Sequence, residues 1–191
     1  VGTSIADLTA GLTASQAIVA ALYARQRDGA GQHVQISMYE AVASLLTFNA
    51  GIYFATGEPP RRRGNAHPTI VPYETFKAAD GWINLGIAND GLWRAFCGAI
   101  DRPELAADER FAGAEDRVRN RDLLTPLVTA IIAGRDRDEW LELLQPLGLP
   151  CGAIRTVAEV CDSEILEMRG MIAGMPHASA GTVRSIKNPA R

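Results

Sequence analysis

The chain has 191 residues, of which 47% are hydrophobic and 21% are charged, as in an ordinary globular protein. This length is enough for one large domain, or for a domain with a smaller lobe. The net charge of -3 argues against a nucleic-acid-binding protein, because the binding surfaces of such proteins are usually basic. No run of about 18 uninterrupted apolar residues is present, so the sequence predicts no membrane span.

The cysteines and the termini give two further expectations. Cys97, Cys151 and Cys161 cannot all pair with one another, and no Cys/His cluster has the spacing of a zinc site. We therefore expect no metal site and a reducing, cytoplasmic location. The chain starts at Val1 without a methionine or a secretory signal and ends at Arg191 outside any recognisable element, which suggests an excerpt from a longer polypeptide.

The first third of the chain predicts two apolar helices and a strand. Small and apolar side chains cover most of residues 7–28, which predicts a buried helix that ends at a left-handed Gly29. Residues 33–38 alternate as in a short strand, and residues 39–55 predict a second apolar helix. A helix, a glycine turn, a strand and a helix together predict half of an α/β layered domain.

The composition changes at Thr56. Residues 57–68 are rich in Gly, Pro and Arg and predict a linker or a long functional loop. Residues 73–78 and 82–87 flank the turn sequence ADG at 79–81 and predict a β-hairpin. The remaining predicted elements are helices at 90–100, 115–133 and 137–146, a strand at 151–154, one or two short helices within 157–169, and two strands within 171–186.

Asp7 is the first residue that could carry chemistry. It lies in the first turn of the predicted helix 7–28, where capping is the ordinary role of an aspartate. A carboxylate kept ionised at a helix N-terminus can also act as a nucleophile, provided that one oxygen stays open to substrate. Position alone does not distinguish the two roles.

Two other segments contain candidate binding residues. Arginines 61–63 could bind the phosphates of a CoA-type nucleotide, or could simply be a solvated linker. The segment GNAHP at 64–68 is either an active-site loop or a turn, and a lone loop histidine such as His67 is more often a surface residue than a catalytic one. Asn89 and Asp90 would most simply cap the helix that begins at about residue 90.

Taken in order, these motifs resemble the central stretch of the family III CoA-transferases. This family contains the formyl-CoA and carnitine CoA-transferases and the 2-methylacyl-CoA racemases. The similar segments are IADLTAG at 5–11, AL at 21–22 with Arg25, GAGQHV at 29–34, MYEA at 38–41, GNAHP at 64–68, PY at 72–73, DG at 80–81, GLPCG at 148–152 and RGM at 169–171.

The resemblance implies an α/β fold and a domain organisation. It implies a Rossmann-like large domain joined to a small α+β domain, in a homodimer whose subunits interlock as linked rings. Residues 1–55 would be the C-terminal part of the large domain and the start of the linker, residues 56–65 the linker, residues 66–165 the small domain, and residues 166–191 a return linker toward the large domain. Most CoA contacts would lie in an N-terminal part that precedes this stretch.

The resemblance also implies a reaction. The catalytic aspartate of the family falls on Asp7, which would attack an acyl-CoA thioester and pass through an aspartyl anhydride and an aspartyl-CoA thioester. CoA would then be transferred to a carboxylic acid acceptor. A CoA thioester would be the substrate, with no permanently bound cofactor and no metal.

The same resemblance implies which residues surround the substrate. A loop that is glycine-rich in some members closes over the site, and HPTI at 67–70 takes its position in this chain. The substrate-loop candidates are Gly64, Asn65, His67 and Asn89.

Two alternatives to a CoA-transferase stay open. The racemases of the family need an acid/base pair, and they place a glutamate where this chain has Asn89. An amide cannot take a proton at pH 7, which favours the transferase, although a shift of one residue would bring Asp90 to that position. The other alternative is a truncated, non-catalytic domain used for assembly.

Overall fold

The computed structural model describes residues 2–190, which divide into two compact units, residues 2–62 and residues 63–190. The fold is of the mixed α/β type. The first unit is helical, with α1 (Ile5–Asp28), α2 (Met38–Ala43), a single 3₁₀ turn at Ser44–Leu46, and α3 (Thr47–Thr56).

In the first unit the helix predicted at 7–28 is confirmed, but the single helix predicted at 39–55 is instead α2, a 3₁₀ turn and α3. The predicted strand is wrong. Helix α1 begins two residues before the predicted start and ends at Gly29, whose φ of 72° and hydrogen bond to the carbonyl of Arg25 (2.9 Å) are those of a left-handed cap. The predicted strand 33–38 is absent. A strand needs a neighbouring strand to satisfy its backbone groups, and residues 2–62 contain none, so residues 30–37 have no regular secondary structure.

Helix α1 exposes its apolar surface. We predicted a buried helix, but no residue of α1 is buried within the described part of the chain, and Leu12 and Val19 are 67% and 64% exposed. By length and composition alone α1 could also cross a membrane, contrary to the expectation drawn from uninterrupted apolar runs. The search for uninterrupted apolar runs did not detect α1, because scattered Thr, Gly and Ser interrupt the run without adding charge. Core helices of soluble proteins also meet the criterion of length and composition.

The second unit is built from two antiparallel sheets and seven helices within residues 63–190. The elements are β1 (Tyr73–Lys77), β2 (Trp82–Gly86), α4 (Asp90–Ala99), α5 (Pro103–Ala107), α6 (Ala114–Arg119), α7 (Arg121–Ile132), α8 (Arg137–Leu144), β3 (Cys151–Ile154), α9 (Val157–Cys161), α10 (Glu164–Met168), β4 (Ile172–His177) and β5 (Gly181–Ile186).

The sheets confirm the predicted hairpins. Strands β1 and β2 pair across the turn at 79–81, β3 pairs with β2, and β4 pairs with β5 in a separate sheet. The predicted helix 115–133 is instead two helices, α6 and α7. They meet at Asn120, whose side-chain amide donates to the carbonyls of Arg110 and Asp116 (both 3.0 Å) and so competes with a continuous helix.

The core of the second unit lies on one face of the three-stranded sheet. Phe76, Ile83 and Leu85 point into it and are buried, whereas the alternating Thr75 and Asn84 lie on the other face. Helix α7 contacts β1, and α8 contacts β3. The core side chains contributed by the helices and loops include Val71, Trp93, Phe96, Leu124, Val128, Trp140 and Leu144.

Arg137 ties the hairpin turn to β3 and α9. Its backbone N–H donates to Asp80 Oδ1 (2.8 Å) and its Nε to Asp80 Oδ2 (3.2 Å). Its Nη1 donates to the carbonyl of Ile154 (3.2 Å), and its Nη2 donates to Glu159 Oε1 (3.0 Å). A Cβ on Gly81 would lie 2.7 Å from Nε, which explains why the turn carries glycine.

We expect Glu159 to make a pH-dependent contribution to stability. The backbone N–H of Thr156, and then Arg137, lower the pKa of Glu159 from 4.5 to about 2. Because the folded-state pKa is depressed, the stabilisation is fully present above about pH 4.5 and is lost as the pH falls toward 2. Glu159→Gln should therefore lower the free energy of unfolding at pH 7, and the difference from wild type should shrink between pH 4.5 and pH 3.

Urea titrations at pH 7, 4.5 and 3 would measure this difference, with Glu142→Gln on α8 as the control. The side chain of Glu142 is exposed and has no hydrogen-bond partner among residues 2–190. A Glu159→Gln difference that is the same at all three pH values would contradict the prediction.

Candidate active site

Asp7 lies in the first turn of α1 with an exposed carboxylate. The helix begins at Ile5, so Ser4 rather than Asp7 is the N-cap residue, and the Ser4 side chain makes no capping hydrogen bond within the described chain. The side chain of Asp7 likewise accepts no hydrogen bond and forms no ion pair within residues 2–190. The capping role is therefore not the one that Asp7 has.

The 64–68 loop holds two of the candidate side chains against β1. Gly64 has a φ of 62°, in the left-handed region that favours glycine. The Asn65 amide donates to the Thr75 hydroxyl, and its Oδ1 accepts from the Thr75 N–H (3.3 Å). The backbone N–H of His67 donates to the carbonyl of Tyr73 (2.9 Å). The structure thus brings Asn65 and His67 together along one strand.

The His67 ring is oriented by its neighbours. It stacks on the Tyr73 ring with centroids 5.3 Å apart and an interplanar angle of 10°. Its Nδ1 accepts from the backbone N–H of Thr69 (3.3 Å). An Nδ1 that accepts a hydrogen bond leaves the proton of the neutral ring on Nε2, which can then act as a donor.

Arg121 holds the same loop from the other side. Its Nη2 donates to the carbonyl oxygens of His67 (2.6 Å) and Pro68 (3.2 Å). Burial, followed by the charge of Arg63, lowers the pKa of Arg121. The loop is therefore bound to β1 through its N–H and side chains and to α7 through its carbonyl groups.

Asn89 caps α4, as predicted. Its Oδ1 accepts from the backbone N–H of Leu92 (2.9 Å), and its backbone is extended, as at a normal N-cap. This use of Oδ1 leaves the amide N–H₂ as the polar group that Asn89 can offer to a ligand.

Asp90, the next residue, is paired with a buried arginine. Its Oδ1 accepts from Arg117 Nη2 (2.9 Å), and the Arg117 side chain is 1% exposed. The same guanidinium donates to the carbonyls of Val71 (3.0 Å), Phe111 (3.0 Å) and Ala112 (3.2 Å). Asp90 is thus committed to a structural ion pair through one of its two oxygens.

The comparison with known families decides what these residues belong to. The model of CoA-transferase family III matches residues 1–191. This chain belongs to that family. The family III chain is 35% identical over 171 residues to the acetyl-CoA:oxalate CoA-transferase of Acetobacter aceti, which covers 90% of this chain and 44% of the relative. It is 34% identical over 180 residues to the succinyl-CoA:mesaconate CoA-transferase of Haloarcula marismortui, covering 94% and 45%.

Solved structures agree with the sequence relatives. A CaiB/BaiF family protein from Brucella suis superposes with a TM-score of 0.77 at 34% identity, covering 100% of this family III chain and 53% of the other. The chain therefore spans about half the length of the relatives that it matches.

Sequence reasoning missed Arg117 and Arg121. Arg117 donates to the carbonyl of Val71, 46 residues earlier in the chain, and Arg121 donates to the carbonyl of His67, 54 residues earlier. No local motif marks such contacts, since the recognised group is a main-chain carbonyl that every residue has. Arg117, Arg119 and Arg121 alternate in the sequence, and no local signal distinguishes Arg117 and Arg121 from the exposed Arg119.

Two thiols of the family III chain are poor nucleophiles. Burial raises the pKa of Cys97 to about 12 and also raises the pKa of Cys151. A thiol acts as a nucleophile through its thiolate, so a raised pKa makes both thiols weaker nucleophiles.

Proposed function

We propose that this chain supplies the catalytic aspartate of a CoA-transferase that moves CoA from an acyl-CoA thioester to a carboxylic acid, with Asp7 as the nucleophile. The observation that carries the proposal is the exposed carboxylate of Asp7 in the first turn of α1. No residue of 2–190 forms a hydrogen bond or an ion pair with this carboxylate. Family membership supports the reaction class, and the relatives named above are transferases that act on acetyl-CoA or succinyl-CoA.

The proposed reaction consists of four acyl transfers. A carboxylate oxygen of Asp7 attacks the thioester carbonyl, and the C–S bond breaks. CoA departs as the thiolate, and an aspartyl–acyl anhydride is formed on the enzyme. The thiolate attacks the aspartyl carbonyl and releases the donor acid as its carboxylate. The acceptor carboxylate then attacks the aspartyl carbonyl of the resulting thioester, the C–S bond breaks, and CoA thiolate departs from an aspartyl–acceptor anhydride. The thiolate finally attacks the acceptor acyl carbonyl of this anhydride and displaces the Asp7 carboxylate. The Asp7 carboxylate is regenerated, with no net proton transfer and no redox change.

The position of Asp7 suits the first of these steps. A nucleophilic carboxylate must be free to form a new bond, and the Asp7 carboxylate accepts no hydrogen bond within residues 2–190. It must also be reachable, and Asp7 is exposed within its unit. Residues of the 64–68 loop, with Gly64, Asn65 and His67, and the amide of Asn89 are proposed to contact the substrate as hydrogen-bond donors.

The residues in the turn after β2 support a racemase less well than they support a transferase. Asn89 can offer only an N–H₂ group to a ligand, which can bind a carboxylate or a carbonyl but cannot remove an α-proton. Asp90 is held by Arg117 through Oδ1. A donor at this position fits a transferase that must bind carboxylates.

We also propose the domain organisation that the family resemblance implies. Residues 1–55 would belong to a Rossmann-like large domain, residues 66–165 to the small domain, and residues 56–65 and 166–191 to the connecting segments, in an interlocked homodimer. The exposed apolar side chains of the first unit, among them Leu12, Val19 and Phe54, support this proposal, because such surfaces are normally covered in a folded protein.

A donor and acceptor panel tests the proposed function. The full-length protein would be incubated with acetyl-CoA or succinyl-CoA and with oxalate, mesaconate or glutarate, and mass spectrometry would detect any new CoA thioester. We expect at least one pair to exchange CoA. If the protein instead exchanges the α-hydrogen of a 2-methylacyl-CoA in deuterated water and forms no new thioester, the racemase alternative is correct.

A further inference from the structure

Arg121 makes an unusual set of contacts for a partly buried arginine. It is the first residue of α7, and its Nη2 donates to two successive main-chain carbonyls, those of His67 (2.6 Å) and Pro68 (3.2 Å). Its Nη1 is buried and has no hydrogen-bond partner among residues 2–190. Buried guanidinium groups are normally paired with a carboxylate, since an uncompensated charge away from water is costly.

The neighbouring arginine shows the ordinary arrangement. Arg117 lies four residues earlier, in α6, is almost fully buried, and pairs with Asp90. No carboxylate of residues 2–190 pairs with Arg121 in this way, and nearby Glu74 accepts from the Thr125 hydroxyl instead (3.3 Å). Arg121 therefore directs its charge-assisted hydrogen bonds to the backbone of the 64–68 loop, at the carbonyls of His67 and Pro68.

The loop is held by two elements, β1 and α7. On the side of β1, the His67 N–H donates to the carbonyl of Tyr73 and the imidazole stacks on the Tyr73 ring. On the side of α7, Arg121 binds the carbonyl of the same residue. With the N–H, the ring and the carbonyl all engaged, the peptide planes around His67 have little freedom to rotate.

We propose that Arg121 is a positioning residue, which sets the backbone of His67 and Pro68 in the conformation that CoA transfer requires. The proposal rests on the proposed function, because it assigns Arg121 a part in that reaction. Arg121 does not touch the reacting atoms in this scheme. It acts through the loop, by fixing the direction in which the His67 Nε2–H and the Asn65 amide face.

Three variants of the full-length protein test the proposal. Arg121→Met keeps the length of the side chain and removes every donor, and Arg121→Lys keeps the charge and a single donor group. Arg119→Met is the matched control, since Arg119 lies two residues away and, among residues 2–190, pairs only with Asp116 on the surface (2.7 Å). Hydrogen exchange would be followed in peptides that cover 64–70 and 122–132, together with kcat and KM for acyl-CoA.

We expect Arg121→Met to speed amide exchange in 64–70 by about tenfold and to leave 122–132 within about twofold of wild type. It should lower kcat by about tenfold or more with little change in KM, because a small misplacement of binding groups affects the transition state most. Arg121→Lys should recover part of both losses, and Arg119→Met should change neither. If the Met variant does not fold, the Lys variant compared with wild type decides the question.

Several results would overturn the proposal. Faster exchange in 64–70 with full activity would show that the anchor does not matter to the reaction. Lost activity with unchanged exchange in 64–70, or with equally fast exchange in 122–132, would show that Arg121 acts in another way. A wild-type protein without CoA transfer would refute the proposed function instead, while the exchange data would still show whether Arg121 anchors the loop.

Discussion

Replacing Asp7 with Asn is expected to abolish CoA transfer and to leave the fold almost unchanged. An amide oxygen does not form an anhydride with an acyl-CoA, so the rate should fall by at least about a thousandfold. The amide is nearly isosteric, and the Asp7 side chain is exposed and accepts no hydrogen bond within the described chain. The helix then loses only a favourable dipole interaction, which is worth about 0.3–1 kcal/mol.

The matched control for this variant is Asp28→Asn, at the C-terminal end of the same helix. It makes the same chemical change where the helix dipole disfavours a negative charge, so neither activity nor stability should fall. An Asp7→Asn protein that keeps substantial transferase activity would show that Asp7 is not the nucleophile, even if its family position is the expected one.

Replacing Arg117 with Met is expected to produce the largest loss of stability. Arg117 is 1% exposed and its guanidinium donates to Asp90 and to three main-chain carbonyls. The guanidinium also lies over the Trp93 ring, 5.5 Å from its centroid. Methionine fills a similar volume but donates nothing, so the carbonyls lose their donors. The expected loss is about 3–5 kcal/mol.

Hydrogen exchange of the core amides of α7, such as those of Leu124 and Val128, would measure this loss in the full-length protein. Arg119→Met is again the control, because removing an exposed ion pair should change stability by less than about 1 kcal/mol. Equal exchange rates in the two variants would mean that the buried network around Arg117 adds no net stability.

Local signals in the sequence were enough to predict the hairpin and the first helix of the second unit. The ADG turn at 79–81 lies between two alternating runs, and Asn89 precedes an apolar helix face, so both elements follow from short-range chemistry. The strand predicted at 33–38 has the same alternation but lacks a neighbouring strand in residues 2–62. Alternation alone therefore predicts a strand only where the rest of the chain offers a partner.

The candidate site could be predicted only in part. Asp7 and the 64–68 loop were found from motif order, which is a property of the sequence. Arg117 and Arg121 could not be found, because each binds carbonyls about fifty residues away that folding alone brings close. The apolar pattern of α1 predicted a buried helix, but no residue of α1 is buried in the described structure. Residues 2–62 alone do not provide the surfaces that would cover this helix.

Trapping of the acyl-enzyme tests the role of Asp7 most directly. The full-length protein would be mixed with a donor acyl-CoA identified in the panel and quenched with hydroxylamine, which converts an activated acyl-aspartate to a hydroxamate. Peptide mapping by mass spectrometry should then find the hydroxamate at Asp7 in the wild type and none in Asp7→Asn. A hydroxamate on another residue, or the same labelling in the Asn variant, would contradict the assignment of Asp7 as the nucleophile.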